Sequence, residues 1–328
     1  MGNSLVFFDV FNGDADGICA LHQLRLAHPA ESTLITGVKR DISLLSQVEA
    51  NAGDHVTVLD IAMSKNRDPL LALLSKGAIV QYFDHHIPGE IPVHPHLTAV
   101  IDTSSDICTS LLVNRQLQGE FLIWAVVGAF GDNLHESAVR ASEPLHLTSA
   151  QLNELKELGE CINYNAYGES VEDLFFHPAA LYKVLCPHRD PFTFIREETA
   201  FETLKKGYVE DMALARSIKP ELENRTGAIY ILPDAPWSRR VSGVFGNFLA
   251  TAFPQRAHAV LTKRTDHGFL VSVRAPQTTK TGAEAVCSQF DTGGGRKGAA
   301  GINHLPEDQF ARFVDVFNTI FSNETTHG

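Results

Sequence analysis

The sequence predicts an α/β protein in which an N-terminal parallel-sheet domain is joined by a helical connector to a smaller α/β C-terminal domain. Three observations carry that expectation. The first 135 residues alternate short β-branched runs with longer amphipathic stretches, as a parallel sheet with crossover helices would. After a break around Pro187–Pro191, Glu197–Ile218 reads as one long polar helix. From about Thr226 the composition shifts to Gly, Pro and alternating strands, the mark of a second compact domain. The expected boundaries are residues 1–190, 191–224 and 225–328.

Taken in order, Leu5–Phe11 reads as a buried first strand and Asp16–Ala27 as the helix after it. Strands are expected at Thr33–Thr36, Val56–Asp60, Ala78–Phe83 and Thr98–Ile101, with helices at about 43–50, 66–76 and 106–117. Phe121–Phe130 is apolar enough to be a buried helix or a buried strand. Thr148–Asn165 reads as a helix, opened by the capping segment Thr148-Ser149-Ala150-Gln151. In the second domain, Ala259–Thr262 and Gly268–Val273 read as strands.

A chain of 328 residues suits two domains at roughly 100–200 residues each. Hydrophobic residues at 44% and charged residues at 20% exclude disorder and collagen-like repeats. No apolar run approaches the roughly 18–20 residues that span a bilayer, and Met1-Gly2-Asn3-Ser4-Leu5 lacks a basic n-region, so no membrane partner and a cytoplasmic location are expected. The five cysteines are scattered without a CxxC pair, which argues against a disulfide framework and a zinc ribbon. With 39 acidic against 27 basic residues the formal charge is −12, which disfavours a binder of long duplex nucleic acid. A small anionic substrate held by a few local donors is compatible with it.

The informative residues follow the expected strands. In Asn12-Gly13-Asp14-Ala15-Asp16-Gly17, two carboxylates one residue apart sit where strand turns into helix. They read either as a turn with a helix N-cap or as a pair that needs a cation between them. Three further apolar runs end in Asp60, in Asp84-His85-His86 and in Gly131-Asp132-Asn133. Four strand ends bearing five Asp and two His on one expected edge point to a metal centre, because the ligand crevice of an open α/β sheet lies at the carboxyl ends of its strands. Carboxylate plus imidazole suits Mn²⁺ or related divalent ions better than Ca²⁺.

With Asp14–Gly17 as DADG, Asp60, Asp84–His86 as DHH and Asp132 in GDN, the sequence resembles the DHH phosphoesterases over nearly its whole length. That family includes RecJ-type exonucleases, nanoRNases, cyclic-dinucleotide phosphodiesterases, family II pyrophosphatases and exopolyphosphatases. The second domain adds Gly293-Gly294-Gly295-Arg296-Lys297-Gly298-Ala299-Ala300-Gly301, similar to the glycine-rich motif of the DHH-associated C-terminal domain. The resemblance implies Asp14, Asp16, Asp60, His85 and Asp132 as metal ligands. Asp60 would bridge, Asp16, His85 and Asp132 would complete one site, and Asp14 would hold the other. It implies that Asp84 orients its neighbours and that His86 faces the scissile phosphate. Two positions depart from the family pattern: Val10 stands where many members have His, and Asn12 where RecJ-type members have Asp. The first metal is thus short of one strong ligand, with Asn12 able to offer only a weak amide oxygen.

Gly293, Gly294 and Gly295 read either as a phosphate-binding nest or as a tight β-turn. Arg296 stands where the family usually has His, and Arg274 matches a family position facing the cleft, so both are expected to bind substrate. Lys39 and Arg40 follow the second strand on the edge that carries the aspartates, and read either as reaching the substrate or as ordinary surface residues. His135, three residues after Asp132, is a further candidate.

The expected activity is a Mn²⁺-dependent phosphoesterase, with one or two ions and with Mg²⁺ or Co²⁺ as substitutes. A metal-bound hydroxide at a dinuclear site between the two domains would hydrolyse short oligonucleotides or small nucleotides. The rivals are an exopolyphosphatase-like phosphoanhydride hydrolase and a nucleotide-binding protein with degenerate catalysis.

Overall fold

The computed structural model describes residues 5–323. The chain divides into two compact units, Met1–Lys206 and Gly207–Gly328. The first begins with β1 (Phe7–Phe11), α1 (Ala15–Ala27), β2 (Thr33–Ile35), β3 (His55–Leu59), α2 (Arg67–Ser75), β4 (Ile79–Asp84) and β5 (Leu97–Ile101). Helices then follow one another: α3 (Thr109–Gln116), α4 (Leu122–Gly131), α5 (His135–Ser142), α6 (Ser149–Asn165), α7 (Pro178–Leu185), α8 (Pro191–Glu197) and α9 (Thr199–Ser217). The division between the units falls within α9.

The five strands are all parallel in the order β2-β1-β3-β4-β5. Alternation along each strand separates two cores. Phe8, Val10, Val56, Val58, Val80 and Tyr82 pack with Leu70, Leu73 and Leu74 of α2. Phe11, Leu59 and Phe83 belong to the core that α1, α3, α4 and α6 complete. Every residue from Ala15 to Leu24 is buried, because α3, α4 and α6 cover the side of α1 that the sheet does not. A helix that is apolar nearly all round requires such a second layer. On the same sheet face, the buried Asp9 is neutralised by Arg25 and accepts from the Ser32 hydroxyl at 2.5 Å.

Two expectations need correction. Residues 43–50 form only a 3-10 turn at Leu44–Gln47. The buried Asn66 side chain accepts from the Leu45 amide (3.2 Å) and donates to the Ile42 carbonyl (2.6 Å), taking backbone groups that a helix would pair internally. Asp132 closes a helix, α4, and not a fourth strand. Asn133 ends α4 in the left-handed conformation (φ 64°), with its amide on Phe130 O and that of Leu134 on Ala129 O, a Schellman closure. The Thr148/Gln151 capping box opens α6 as the sequence predicts.

His22 in α1 is fully buried, edge-on to the Trp124 ring, with Nε2 2.8 Å from the His188 carbonyl and Nδ1 without a partner among the described residues. Burial pushes its pKa down to about 4, so the folded chain holds it neutral while the unfolded chain titrates it near 6.5. The stability this adds is present above that unfolded value and is lost as pH falls toward about 4. We expect wild type to lose about 2 kcal/mol more between pH 7 and pH 5 than His22→Gln does, read as denaturant midpoints. Parallel pH profiles for the two proteins would refute the assignment.

The second unit contains β6 (Leu222–Glu223), β7 (Gly227–Leu232), α10 (Pro236–Ala252), β8 (Ala257–Lys263), β9 (Gly268–Arg274), α11 (Ala283–Cys287), β10 (Gly293–Gly295), β11 (Ala299–Pro306) and α12 (Phe310–Asn323). They form a mixed sheet in the order β10-β11-β9-β8-β7-β6, in which β7 and β8 run parallel and the other pairs antiparallel. Phe313, Phe317 and Phe321 of α12, at helical spacing, bury against Ile229, Leu261, Val271 and Ile302. No helix among the described residues is long and apolar enough to cross a membrane.

Candidate metal centre

The carboxyl ends of β1, β3 and β4 meet the C-terminus of α4 and the N-termini of α1 and α3, and the strand order reverses between β1 and β3 at that edge. Each ligand candidate is held there by a distinct local device. Asp14 caps α1: its Oδ1 accepts from the amides of Asp16 and Gly17, both at 3.1 Å. Asp16, in the first turn of α1, accepts at Oδ2 from the Thr109 amide and at Oδ1 from the Ser110 amide, both at 2.7 Å. The N-terminus of α3 therefore grips both carboxylate oxygens of Asp16, as its free amides and dipole favour.

Asp60 follows β3 with φ 58°, in the left-handed region that Asp tolerates better than most residues. Its amide still donates to Phe83 O at 3.0 Å, so the ladder with β4 fixes the turn, and the Thr109 hydroxyl donates to its Oδ1 at 3.3 Å. Asp84 ends β4 fully buried, accepting at Oδ1 from the His85 amide (2.9 Å) and from His86 Nδ1 (2.7 Å). His85 Nδ1 donates to the Ile107 carbonyl at 3.0 Å, which turns Nε2 to within 3.4 Å of Asp60 Oδ1 and 3.8 Å of Asp132 Oδ2.

Two donor sets converge closely enough to share an ion: Asp60, His85 and His86, and Asp16, His85 and Asp132. Within each set the ligand atoms lie within 4.8 Å of one another. The residues fit a divalent cation on this geometry, since an imidazole whose Nδ1–H is spent on a carbonyl presents the Nε2 lone pair to the carboxylates. The electrostatics agree. Burial, then repulsion from Asp14 and Asp16, drives the Asp60 carboxyl well above its usual range. Burial likewise raises Asp132 to about 6, with Lys39 opposing and Asp16 and Asp14 adding to the rise. Burial disfavours charge on His85, but the hydrogen bond and charge of Asp60, with Asp16 and Asp132, outweigh it and bring the pKa to about 10. Carboxylates that repel one another in a buried pocket call for positive charge among them.

Part of that charge comes from Lys39. Its Nζ pairs with Asp14 Oδ2, lies 3.7 Å from Asp132 Oδ1 and donates to Asn163 Oδ1 at 3.3 Å. Burial opposes the charge, but Asp14 and Asp132 keep the ammonium protonated far above neutrality. Lys39 thus lies among the carboxylates, while Arg40 beside it is exposed. Asn12 is buried; its Oδ1 accepts from the Asp14 amide at 3.3 Å and its Nδ2 donates to Lys39 O at 3.4 Å. His135 approaches Asn133 Oδ1 at 3.1 Å and belongs to neither donor set. Thr109, Ser110 and Asn163 do not stand out in the sequence. Only the helix start at 109 carries a signal, because a helix N-terminus offers free amides to a carboxylate.

The remaining candidates lie in the second unit. Arg274 donates from Nε to Asn247 Oδ1 (2.7 Å) and from Nη1 to Ser272 Oγ (2.8 Å). Gly293–Gly295 form β10, an edge strand that joins β11 through a turn closed by Arg296 N to Ala299 O at 2.8 Å. A Cβ on Gly293 would meet the Cys287 carbonyl at 1.8 Å, and Gly295 has φ 146°, so packing and backbone require glycine at both. A Cβ on Gly294 would meet nothing within 4 Å, and Arg296 is exposed.

No protein-family model and no curated protein matches the sequence. Solved structures do match the fold. A DHH domain described as a member of a family of ribosomal proteins superposes with a TM-score of 0.65 at 13% identity, over 98% of this chain and 87% of that one. Exonuclease RecJ bound to manganese gives 0.62 at 16% identity, over 98% and 90%. The pGpG-specific phosphodiesterase PggH of Vibrio cholerae gives 0.56 at 13% identity, over 98% and 100%.

Proposed function

For a chain with the fold of DHH-domain proteins, we propose a metal-dependent phosphoesterase that hydrolyses short oligonucleotides or small nucleotides. One observation carries the proposal: Asp16, His85 and Asp132, and likewise Asp60, His85 and His86, bring their donor atoms within 4.8 Å of one another at the carboxyl edge of the sheet. Their carboxylate and imidazole donors suit Mn²⁺, with Mg²⁺ or Co²⁺ as substitutes. Likeness to the fold of RecJ bound to manganese and of a pGpG-specific phosphodiesterase supports the reading.

A bound divalent cation would polarise the phosphoryl group and lower the pKa of water. The protein's part is positioning. Asp84 takes the Nδ1–H of His86 and so leaves Nε2 of that half-exposed ring as the group that meets a phosphate oxygen. The same carboxylate accepts from the His85 amide, which makes Asp84 a positioning residue for both histidines. Thr109 holds Asp60 and the amides of α3 hold Asp16, so two ligands keep their orientation without the ion. Substrate recognition is assigned to Arg40 and, in the second unit, to Arg274, Arg296 and the Gly293–Gly295 strand. The exposed Arg296 and the open space at Gly294 support this, since a backbone without a side chain admits a phosphate closely.

The test is hydrolysis by the purified full chain with Mn²⁺ on a linear dinucleotide, a short RNA, a long single strand, polyphosphate and an aryl phosphate. We expect mononucleotide release from the first two, falling with length, and little phosphate from polyphosphate. No metal-dependent cleavage of any nucleotide would overturn the proposal.

A further inference from the structure

We propose that the centre takes one divalent cation per chain, and that the Lys39 ammonium stands where a second would be. The inference rests on the metal-centre reading above and deepens it. Asp14, the carboxylate that a second ion would need, already has a cation as its partner. Its Oδ1 caps α1 through two amides at 3.1 Å and its Oδ2 pairs with Lys39. Neither donor set includes Asp14.

Both sets do include His85, whose Nδ1 is directed at Ile107 O. A single imidazole nitrogen has one lone pair and serves one ion, so only one of the two overlapping sets can be filled at a time. Beside those sets, Lys39 touches Asp14, approaches Asp132 at 3.7 Å and donates to Asn163 at 3.3 Å, the contacts of a resident cation. Its backbone is fixed from two sides, by its own amide on Ala166 O at 2.9 Å and by Asn12 Nδ2 on its carbonyl. Asn12 matters twice: it anchors the lysine's segment, and as a neutral amide it brings no charge to attract a second ion.

Metal-free protein reloaded with Mn²⁺ decides the matter by native mass spectrometry and by electron paramagnetic resonance. We expect one ion per chain and the spectrum of an isolated Mn²⁺. Two ions with an exchange-coupled spectrum would overturn this inference and leave the phosphoesterase proposal standing, whereas no bound ion would overturn both. Lys39→Met combined with Asn12→Asp removes the ammonium and restores a carboxylate, and stoichiometry should rise from one ion to two. A folded double variant that still holds one ion would refute the role given to Lys39. Should it misfold, Lys39→Ala alone is the second variant: a rise above one ion supports the role and unchanged stoichiometry refutes it.

Discussion

Asp60→Asn is expected to lower Mn²⁺-dependent turnover on the order of a thousandfold or more while leaving the chain folded. Asn is the appropriate replacement because it also tolerates the left-handed backbone at this position, φ 58°, and keeps the side chain's shape. What it removes is a buried carboxylate from a donor set close enough to share a cation. In the metal-free protein burial and the neighbouring Asp14 and Asp16 disfavour charge at this position, with His85 opposing, so a neutral replacement fits it. Melting of the metal-free variant should therefore match or exceed wild type. The stabilisation on adding metal, about 2.7 kcal/mol at a hundredfold excess over Kd for an ion that binds only the folded state, should largely vanish. Calorimetry with and without Mn²⁺ reads both effects. A variant with near-normal turnover and an undiminished metal-induced shift would remove Asp60 from the centre.

Gly131→Ala should destabilise the protein by roughly 1–3 kcal/mol and weaken metal binding at least tenfold. Intrinsic propensity argues the other way, since Ala in a helix is favoured over Gly by about 1 kcal/mol. Packing decides the sign. A Cβ on Gly131 would lie 2.3 Å from Ala15 Cβ and 2.8 Å from the Gly159 carbonyl, neither of which is the movable end of a long side chain. From the other side, a Cβ on Gly159 would meet the Val127 carbonyl at 2.3 Å. Helices α1, α4 and α6 approach backbone to backbone there, and the next residue in the chain is Asp132. Relief of the clash has to move α4, and the C-terminal carboxylate moves with it. Denaturant midpoints and Mn²⁺ titration measure the two consequences. A stabilised Gly131→Ala protein with unchanged metal affinity would show that propensity outweighs the close approach.

Legibility from sequence follows the range of the interaction concerned. The α/β class and the five strands through residue 101 were readable because period-two and helical patterns are local. So were Asp14, Asp16, Asp60 and Asp84–His86, since a carboxylate or imidazole just after a buried run has to lie on the sheet's carboxyl edge. The Thr148 capping box is equally local: four residues contain both partners. The 3-10 turn at Leu44–Gln47 was not legible, because the side chain that diverts its backbone belongs to Asn66. Nor was the nature of the run before Asp132, since Phe121–Phe130 is apolar throughout and a run buried on all sides has no period to distinguish helix from strand.

The electrostatic state of the centre lay furthest from the sequence. Lys39 reads from the sequence as a residue that reaches the substrate or as an ordinary surface residue after a strand. Its place among the carboxylates depends on Ala166 holding its amide, Asn12 its carbonyl and Asn163 its ammonium. The sequence by itself determined which residues could carry metal chemistry and along which edge they would stand, because side-chain chemistry and strand polarity are properties of the chain. Only the tertiary structure decided which carboxylates stand close enough to share a cation and which one is already neutralised. That choice rests on separations of a few ångströms between residues as far apart as Lys39 and Asn163, and at such separations inside a pocket shielded from water each added charge changes what its neighbours can hold.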